Sequence, residues 1–155
     1  MSEMFDFGAG PVPAHRHAKG GGWVADTAHV DETVYVGPDA QVGDNAQVSD
    51  NAQVGGNARV GGNAWVGDNA QVYGNAQVSG DAKLSKTTDY LVIGPIGSRE
   101  ASMTWTRSDG CIATGCFRGT VEEFLAAVKE THGGNAHAKA YRAAVEFIRA
   151  MEKLA

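Results

Sequence analysis

The sequence predicts a mainly β protein, a parallel β-solenoid built in six-residue steps and followed by a small α+β region. Three observations carry this. Residues 24–89 divide into eleven consecutive hexads without an insertion, from Val24-Ala25-Asp26-Thr27-Ala28-His29 to Leu84-Ser85-Lys86-Thr87-Thr88-Asp89. Within them the first position is Val ten times and then Leu84, and the fifth is Ala except at Val34 and Thr88. At Tyr90 the repeat stops and the composition changes. A fixed internal period decides the architecture before any local propensity.

A period of six fits neither a 3.6-residue helix nor a heptad. It fits a short strand and a corner. In Ala40-Gln41-Val42-Gly43 the side chains alternate, so Ala and Val share one face while Gln and Gly share the other. The next pair, Asp44-Asn45, consists of turn formers. Asn is expected to take the left-handed conformation that a tight corner needs. Three strands and three corners close a triangular coil, with Val at the middle of each inner wall and Ala where space narrows. Residues eighteen apart then stack. One outer wall reads His29, Gln47, Trp65, Lys83; the second Tyr35, Gln53, Gln71, Asp89; the third Gln41, Arg59, Gln77.

These hexads resemble the hexapeptide-repeat family, whose fold is a left-handed parallel β-helix. The left hand is what the resemblance implies, since ordinary crossover rules favour the right. The family is usually trimeric, with coils side by side about a threefold axis. Arg59, Trp65 and Tyr73 are large side chains on walls otherwise made of Gly, Ser and Gln, and are the expected subunit contacts. Many relatives are acyltransferases that use a His near a subunit interface, often with a long loop leaving the coil. Here no loop interrupts residues 24–89, and His29 is the only His in the coil. The γ-class carbonic anhydrases, which place three zinc-binding His at their interfaces, are not matched either. The sequence implies no catalytic residue, no cofactor and no metal.

The whole chain sets further bounds. Its 155 residues allow one domain or two small ones. No run of about 18 apolar residues suggests a membrane span, and Met1-Ser2-Glu3 does not read as a signal peptide. Cys111 and Cys116 are too few for a zinc site and are expected to be reduced. The formal charge of −5 is uneven. Residues 1–23 balance, the repeat carries nine acids against three bases, and residues 90–155 carry eight bases against seven acids. So acidic a coil argues against binding a nucleic-acid duplex, and an anion site is expected at the coil ends.

Residues 1–23 read as an arm that caps the first coil with Phe5, Phe7 and Trp23, because the apolar end of a solenoid needs cover. The same arm holds a candidate anion site, His15, Arg16, His17 and Lys19. On an extended strand both His can face one side, and the following glycines let a backbone approach a ligand closely.

Residues 90–155 read as three strands and two helices. Tyr90 to Ile93, Met103 to Thr106 and Cys111 to Thr114 are the strands, with Arg107-Ser108-Asp109-Gly110 as a hairpin turn. Residues 115–119 lead into the first helix, which opens on the capping box Thr120-Val121-Glu122-Glu123 and stops at Gly133-Gly134. Asn135 caps the second helix, whose Ala138, Tyr141, Val145, Ile148 and Met151 recur at helical spacing as core. Gly94-Pro95-Ile96-Gly97-Ser98-Arg99 is the second candidate site: broken backbone exposes N–H groups, and Arg99 can grip a phosphate or carboxylate. Trp105 and Arg107 are set beside it, Trp105 either stacking on a base or lying in the core.

The order Gly-Pro-Val-Pro-Ala-His-Arg-His, hexads, Tyr-Leu-Val-Ile-Gly-Pro-Ile-Gly-Ser-Arg and Gly-Cys-Phe-Arg-Gly-Thr is similar to small hexapeptide-repeat proteins of phages and prophages. That resemblance implies a bacterial cytoplasmic setting and a counter-defence role. The expected function is a non-catalytic trimer that sequesters a small anionic, nucleotide-like ligand. The alternatives are an acyltransferase using acyl-CoA and a structural or protein-interaction module.

Overall fold

The architecture comes from a computed structural model, which describes residues 3–114 and 117–154; Gly115 and Cys116 lie outside the described residues. The chain divides into two compact units, residues 1–89 and 90–155.

The first unit opens with β1 (Glu3–Asp6), β2 (Pro11–Arg16) and β3 (Trp23–Ala25). Two-residue strands then follow at six-residue steps: β4 (His29–Val30), β5 (Tyr35–Val36), β6 (Gln41–Val42), β7 (Gln47–Val48), β8 (Gln53–Val54), β9 (Arg59–Val60), β10 (Trp65–Val66), β11 (Gln71–Val72), β12 (Gln77–Val78) and β13 (Lys83–Leu84). They form three sheets, ordered β1-β2-β3-β6-β9-β12, β13-β10-β7-β4 and β11-β8-β5. From β3 onward the pairing is parallel and joins residues eighteen apart, such as Gln41 with Arg59 and Gln47 with Trp65. Residues 23–84 are thus a parallel β-solenoid of about three turns. The coils are bonded along their backbones: the Gln41 N–H donates to the Ala58 carbonyl at 3.0 Å and the Gly43 N–H to the Val60 carbonyl at 2.7 Å. The first-position valines from Val36 to Val78 are at most 2 % exposed, and the alanines from Ala40 to Ala82 at most 1 %. Each fully buried Val is worth roughly 1.5–3 kcal/mol, so the column of inward valines is the main stabilising feature of the coil.

Three sequence expectations for this unit are corrected. The corner residue with left-handed backbone is the third of the hexad, not the fourth: Asp44, Asp50 and Asp68, and Gly56, Gly62, Gly74 and Gly80, have φ between 50° and 66°. Asp tolerates that region for the same reason Asn does, and its carboxylate also serves the next coil, the Gly62 N–H donating to Asp44 Oδ2 at 2.8 Å. The fourth-position Asn is left to bond its own kind, as Asn51 does to Asn69 at 3.4 Å. Second, the second wall ends at Gln71. Asp89 sits in a 3-10 turn (Thr87–Asp89) and accepts from the Ser85 and Lys86 N–H groups at 2.9 and 3.0 Å; Thr87 and Thr88 lack the Asn-Ala that turns a corner. Third, the arm is a β-hairpin that extends one wall as β1 and β2, and Trp23 heads the third wall, paired with Gln41.

The second unit is an antiparallel sheet, β14 (Tyr90–Ile96), β15 (Ala101–Thr106), β16 (Cys111–Thr114) and β17 (Phe117–Thr120), in chain order, with α1 (Val121–His132) and α2 (Ala136–Glu152). It has four strands rather than three. Phe117–Thr120 reads in sequence as a lead into α1, yet it pairs with β16, Cys111 opposite Thr120, because its backbone groups need the partner that β16 supplies. Thr120 caps α1, accepting from the Glu123 N–H at 3.2 Å, and Gly133 at φ 59° ends it. Asn135 caps α2, accepting from the Ala138 N–H at 3.0 Å. Met103, Trp105 and Ile112 on the sheet pack with Phe124, Val128, Val145 and Ile148 on the helices. No described helix is long and apolar enough to cross a membrane.

Candidate functional site

In the first unit the hairpin shapes the arm. Asp6 folds its loop, its carboxylate accepting from the Gly8 and Gly10 N–H groups at 2.7 and 3.0 Å. These bonds, that of Gly8 foremost, hold the Asp6 carboxyl below its ordinary value. Phe5 stacks on Trp23 at 4.7 Å, with the Phe7 ring edge-on to Phe5 at 4.8 Å.

The four candidate cationic residues of the arm take separate places. His15 Nδ1 lies 2.8 Å from the Asp26 carboxylate. The Arg16 guanidinium lies 4.3 Å over the Trp23 ring and donates to the Gly21 carbonyl at 3.0 Å. His17 is buried, and its Nε2 bonds the Val34 carbonyl at 2.7 Å. A neutral carbonyl can only accept, so Nε2 carries the hydrogen. The two His are two residues apart on the same extended run, whose pairing continues as the His17 N–H donates to the Gly22 carbonyl at 2.8 Å, but each is held by its own partner, and the backbone then turns, the Gly21 N–H donating to the His17 carbonyl. Gly20 sits so close to the Val36 carbonyl that a Cβ there would be 2.1 Å from its oxygen. That approach lets the Lys19 carbonyl and the Gly22 N–H each bond Val36 at 3.0 Å and cap the edge of β5. Lys19 Nζ donates to the Thr33 carbonyl at 3.1 Å.

Lys19 thereby enters a groove of about 510 Å³ lined also by Thr33, Tyr35, Asn51, Gln53 and Tyr73. The Tyr73 hydroxyl donates to Gln53 Oε1. Its ring lies against Gly55, where a Cβ would be 2.3 Å from the ring. Trp65 lies likewise against Gly67, beside a second groove of about 480 Å³ lined by Gln47, Asn63, Trp65 and Lys83. The glycines of the hexad therefore do more than flatten a wall: they let aromatic rings lie down on it. Arg59, Trp65 and Tyr73 fall on three different walls, at β9, β10 and just after β11. Tyr35 and Gln53 were readable as one column of the second wall, but Lys19 reaches them only through the turn at residues 17–22.

In the second unit Ser98 and Arg99 are exposed at the tip of the β14–β15 hairpin, beyond a register shift between Ile93 and Ile96. Trp105 is 1 % exposed in the core, and its indole N–H has no partner among the described residues. Arg107 lies 5.2 Å over the Trp105 ring and donates to the Met151 carbonyl at 3.3 Å. The β15–β16 turn is organised by Asp109, which accepts from the Cys111 N–H at 3.1 Å and pairs with Arg118 at 2.7 Å. Burial pushes the Cys111 thiol above its ordinary value, with the Asp109 charge adding and Arg118 opposing. A thiol so placed is a poor nucleophile at neutral pH. Among the described residues no three His, Cys, Asp or Glu side chains converge to hold a metal.

The fold defines the class as a β-solenoid repeat protein with an appended α+β unit. Within the coil, residues 52–68 and 70–83 match the family model described as YdcK Beta solenoid repeat, and the fold is related to that family. No curated protein and no solved structure matches the chain.

Proposed function

We propose that the protein is a binding solenoid without chemistry of its own. It is a left-handed hexapeptide-type coil, trimeric in the bacterial cytoplasm, that sequesters a small anionic, nucleotide-like ligand, in a phage setting a host defence signal. The observation that carries this is the groove on the second wall, where the Lys19 ammonium, the Tyr35 and Tyr73 rings and the Asn51 and Gln53 amides line one space. An ammonium suits a phosphate, a ring face suits a base, and amides pair with its edge. Ser98 and Arg99, exposed on their hairpin tip, are a separate candidate anion contact within the second unit. Calorimetry with a panel of cyclic and linear nucleotides tests it. Heat that is lost in both Lys19→Ala and Tyr73→Ala supports the groove, and no heat with any member of the panel overturns the proposal.

The trimer rests on the exposed large side chains of the walls. A threefold contact joins two different patches of each chain, so Arg59, Trp65 and Tyr73, on three walls, supply at most two of its contacts. Light scattering on the wild type and on the three alanine variants checks this, and a monomer at micromolar concentration removes the trimer.

A second reading, acyl transfer from acyl-CoA, is favoured by one observation. Asp26 engages His15 Nδ1 at 2.8 Å, which orients the ring and leaves Nε2 as the nitrogen to take a proton. Thioester turnover that Asp26→Asn abolishes would support it; absence of acetyl-CoA binding at millimolar concentration removes it.

A further inference from the structure

Helix α2 carries two apolar stripes, and its own unit uses one. The first, Ala138, Val145 and Ile148 with Tyr141 and Met151 partly buried, packs into the core. The second is Ala136, Ala140, Ala143, Phe147, Ala150 and Leu154. Its last member lies just past the helix end, where Lys153 keeps helical backbone angles. The spacing alternates four and three residues without a break, which is the seam of paired helices. All six are exposed, Phe147 at 50 % and Leu154 at 63 %. Exposed apolar residues that need no explanation are scattered singly, whereas a continuous stripe rimmed by charge marks a contact surface. Alanine at four of the six seam positions lets a partner helix come close.

The rim decides what that partner is. On the solvent-side flank of the stripe Lys139 and Lys153, both exposed, outnumber the exposed Glu146. A second copy fits poorly. Paired antiparallel about Glu146, two copies bring the lysines at 139 and 153 together and the two Glu146 carboxylates face to face. Paired parallel, the flanking Lys139 and Glu146 meet Ala144 and Met151, which already turn to the core, and no opposite charges meet. We infer that this face docks an amphipathic helix of another protein, one with apolar residues at the same four-three spacing and Asp or Glu along its flanks.

The test uses the full chain and a labelled synthetic helix of about three heptads, Leu at the seam and Glu at the flanks, with a Lys-flanked twin as control. Fluorescence anisotropy should show the acidic helix binding roughly tenfold or more tighter than its basic twin. Phe147→Ser should weaken it by a similar factor while leaving the melting curve unchanged, because that side chain contributes little to the core. Equal binding of the twins, or binding indifferent to Phe147→Ser, overturns the inference. So does a wild-type mass by light scattering that falls in Phe147→Ser, which would make a second copy the occupant. Binding to phosphatidylserine vesicles that is lost in Phe147→Ser, without binding of the acidic helix, would assign the face to a membrane surface and equally overturn it.

Discussion

Gly67→Ala tests how the aromatic residues lie on the solenoid. The backbone at Gly67 is outside the left-handed region, so alanine is not strained there. Its N–H bond to the Leu84 carbonyl, at 2.9 Å, needs no side chain. The nearest obstacle is Trp65: a Cβ at Gly67 would sit 2.3 Å from Cζ2, 2.6 Å from Cη2 and 2.9 Å from Cε2. Carbon contacts settle near 3.5–4.0 Å, so the ring must withdraw by more than about 1 Å. Lifting one face of an indole uncovers on the order of 50–100 Å² of apolar surface, or roughly 1–2.5 kcal/mol at about 25 cal/mol per Å². The new methyl group returns at most about 0.8 kcal/mol. The net loss, about 0.2–1.7 kcal/mol when the methyl returns its full share, lowers Tm by up to about 7 °C for a chain of this size. The assay is thermal unfolding together with Trp emission in a Trp23→Phe background, where buried Trp105 supplies the blue component and Trp65 the part that shifts red. Gly61→Ala is the control, since its Cβ meets only the Asp44 carboxylate, at 3.0 Å. If Gly67→Ala changes neither emission nor Tm, the ring does not lie on the wall, and the argument that these glycines exist to seat aromatic rings fails.

Two further outcomes follow from the titrating groups. The Asp6 carboxyl is held below its ordinary value of 3.8 in the folded hairpin, first by the Gly8 N–H. The support is therefore present above that ordinary value and is lost as pH falls through the lower folded one. Near-UV circular dichroism of the Phe5–Trp23 stack should decay on acidification, and Asp6→Asn should show the loosened signal already at neutral pH; an Asn variant identical to wild type throughout contradicts this. The Cys111 thiol is raised above 9.0 by burial first and by Asp109 next, with Arg118 opposing. In a Cys116→Ser background its alkylation by iodoacetamide should have a midpoint above 9.0, higher again in Arg118→Ala, and a midpoint at or below that of a free thiol refutes the burial argument.

The coil was legible in the sequence because its rule is local and repeated. A Val that must point inward every sixth residue, with Ala beside it, leaves one register, and the eighteen-residue stacking of Gln47 under Trp65 follows by counting. The caps Thr120 and Asn135 were legible for the same reason, each acting within three residues of itself. What the sequence did not determine depends on close approach between distant segments. Which of two adjacent turn formers takes the left-handed backbone was not fixed by the pattern; it is the third of the hexad, whether Asp44 or Gly62 stands there. The partners of His15 and His17, the Asp26 carboxylate and the Val34 carbonyl, are ones that no spacing rule ties to them. Lys19 met Tyr35 and Gln53 only because glycine at position 20 lets the chain turn tightly against Val36. Periodicity records which way a side chain faces, whereas a site is made by which segments then touch, and that is decided by tertiary packing.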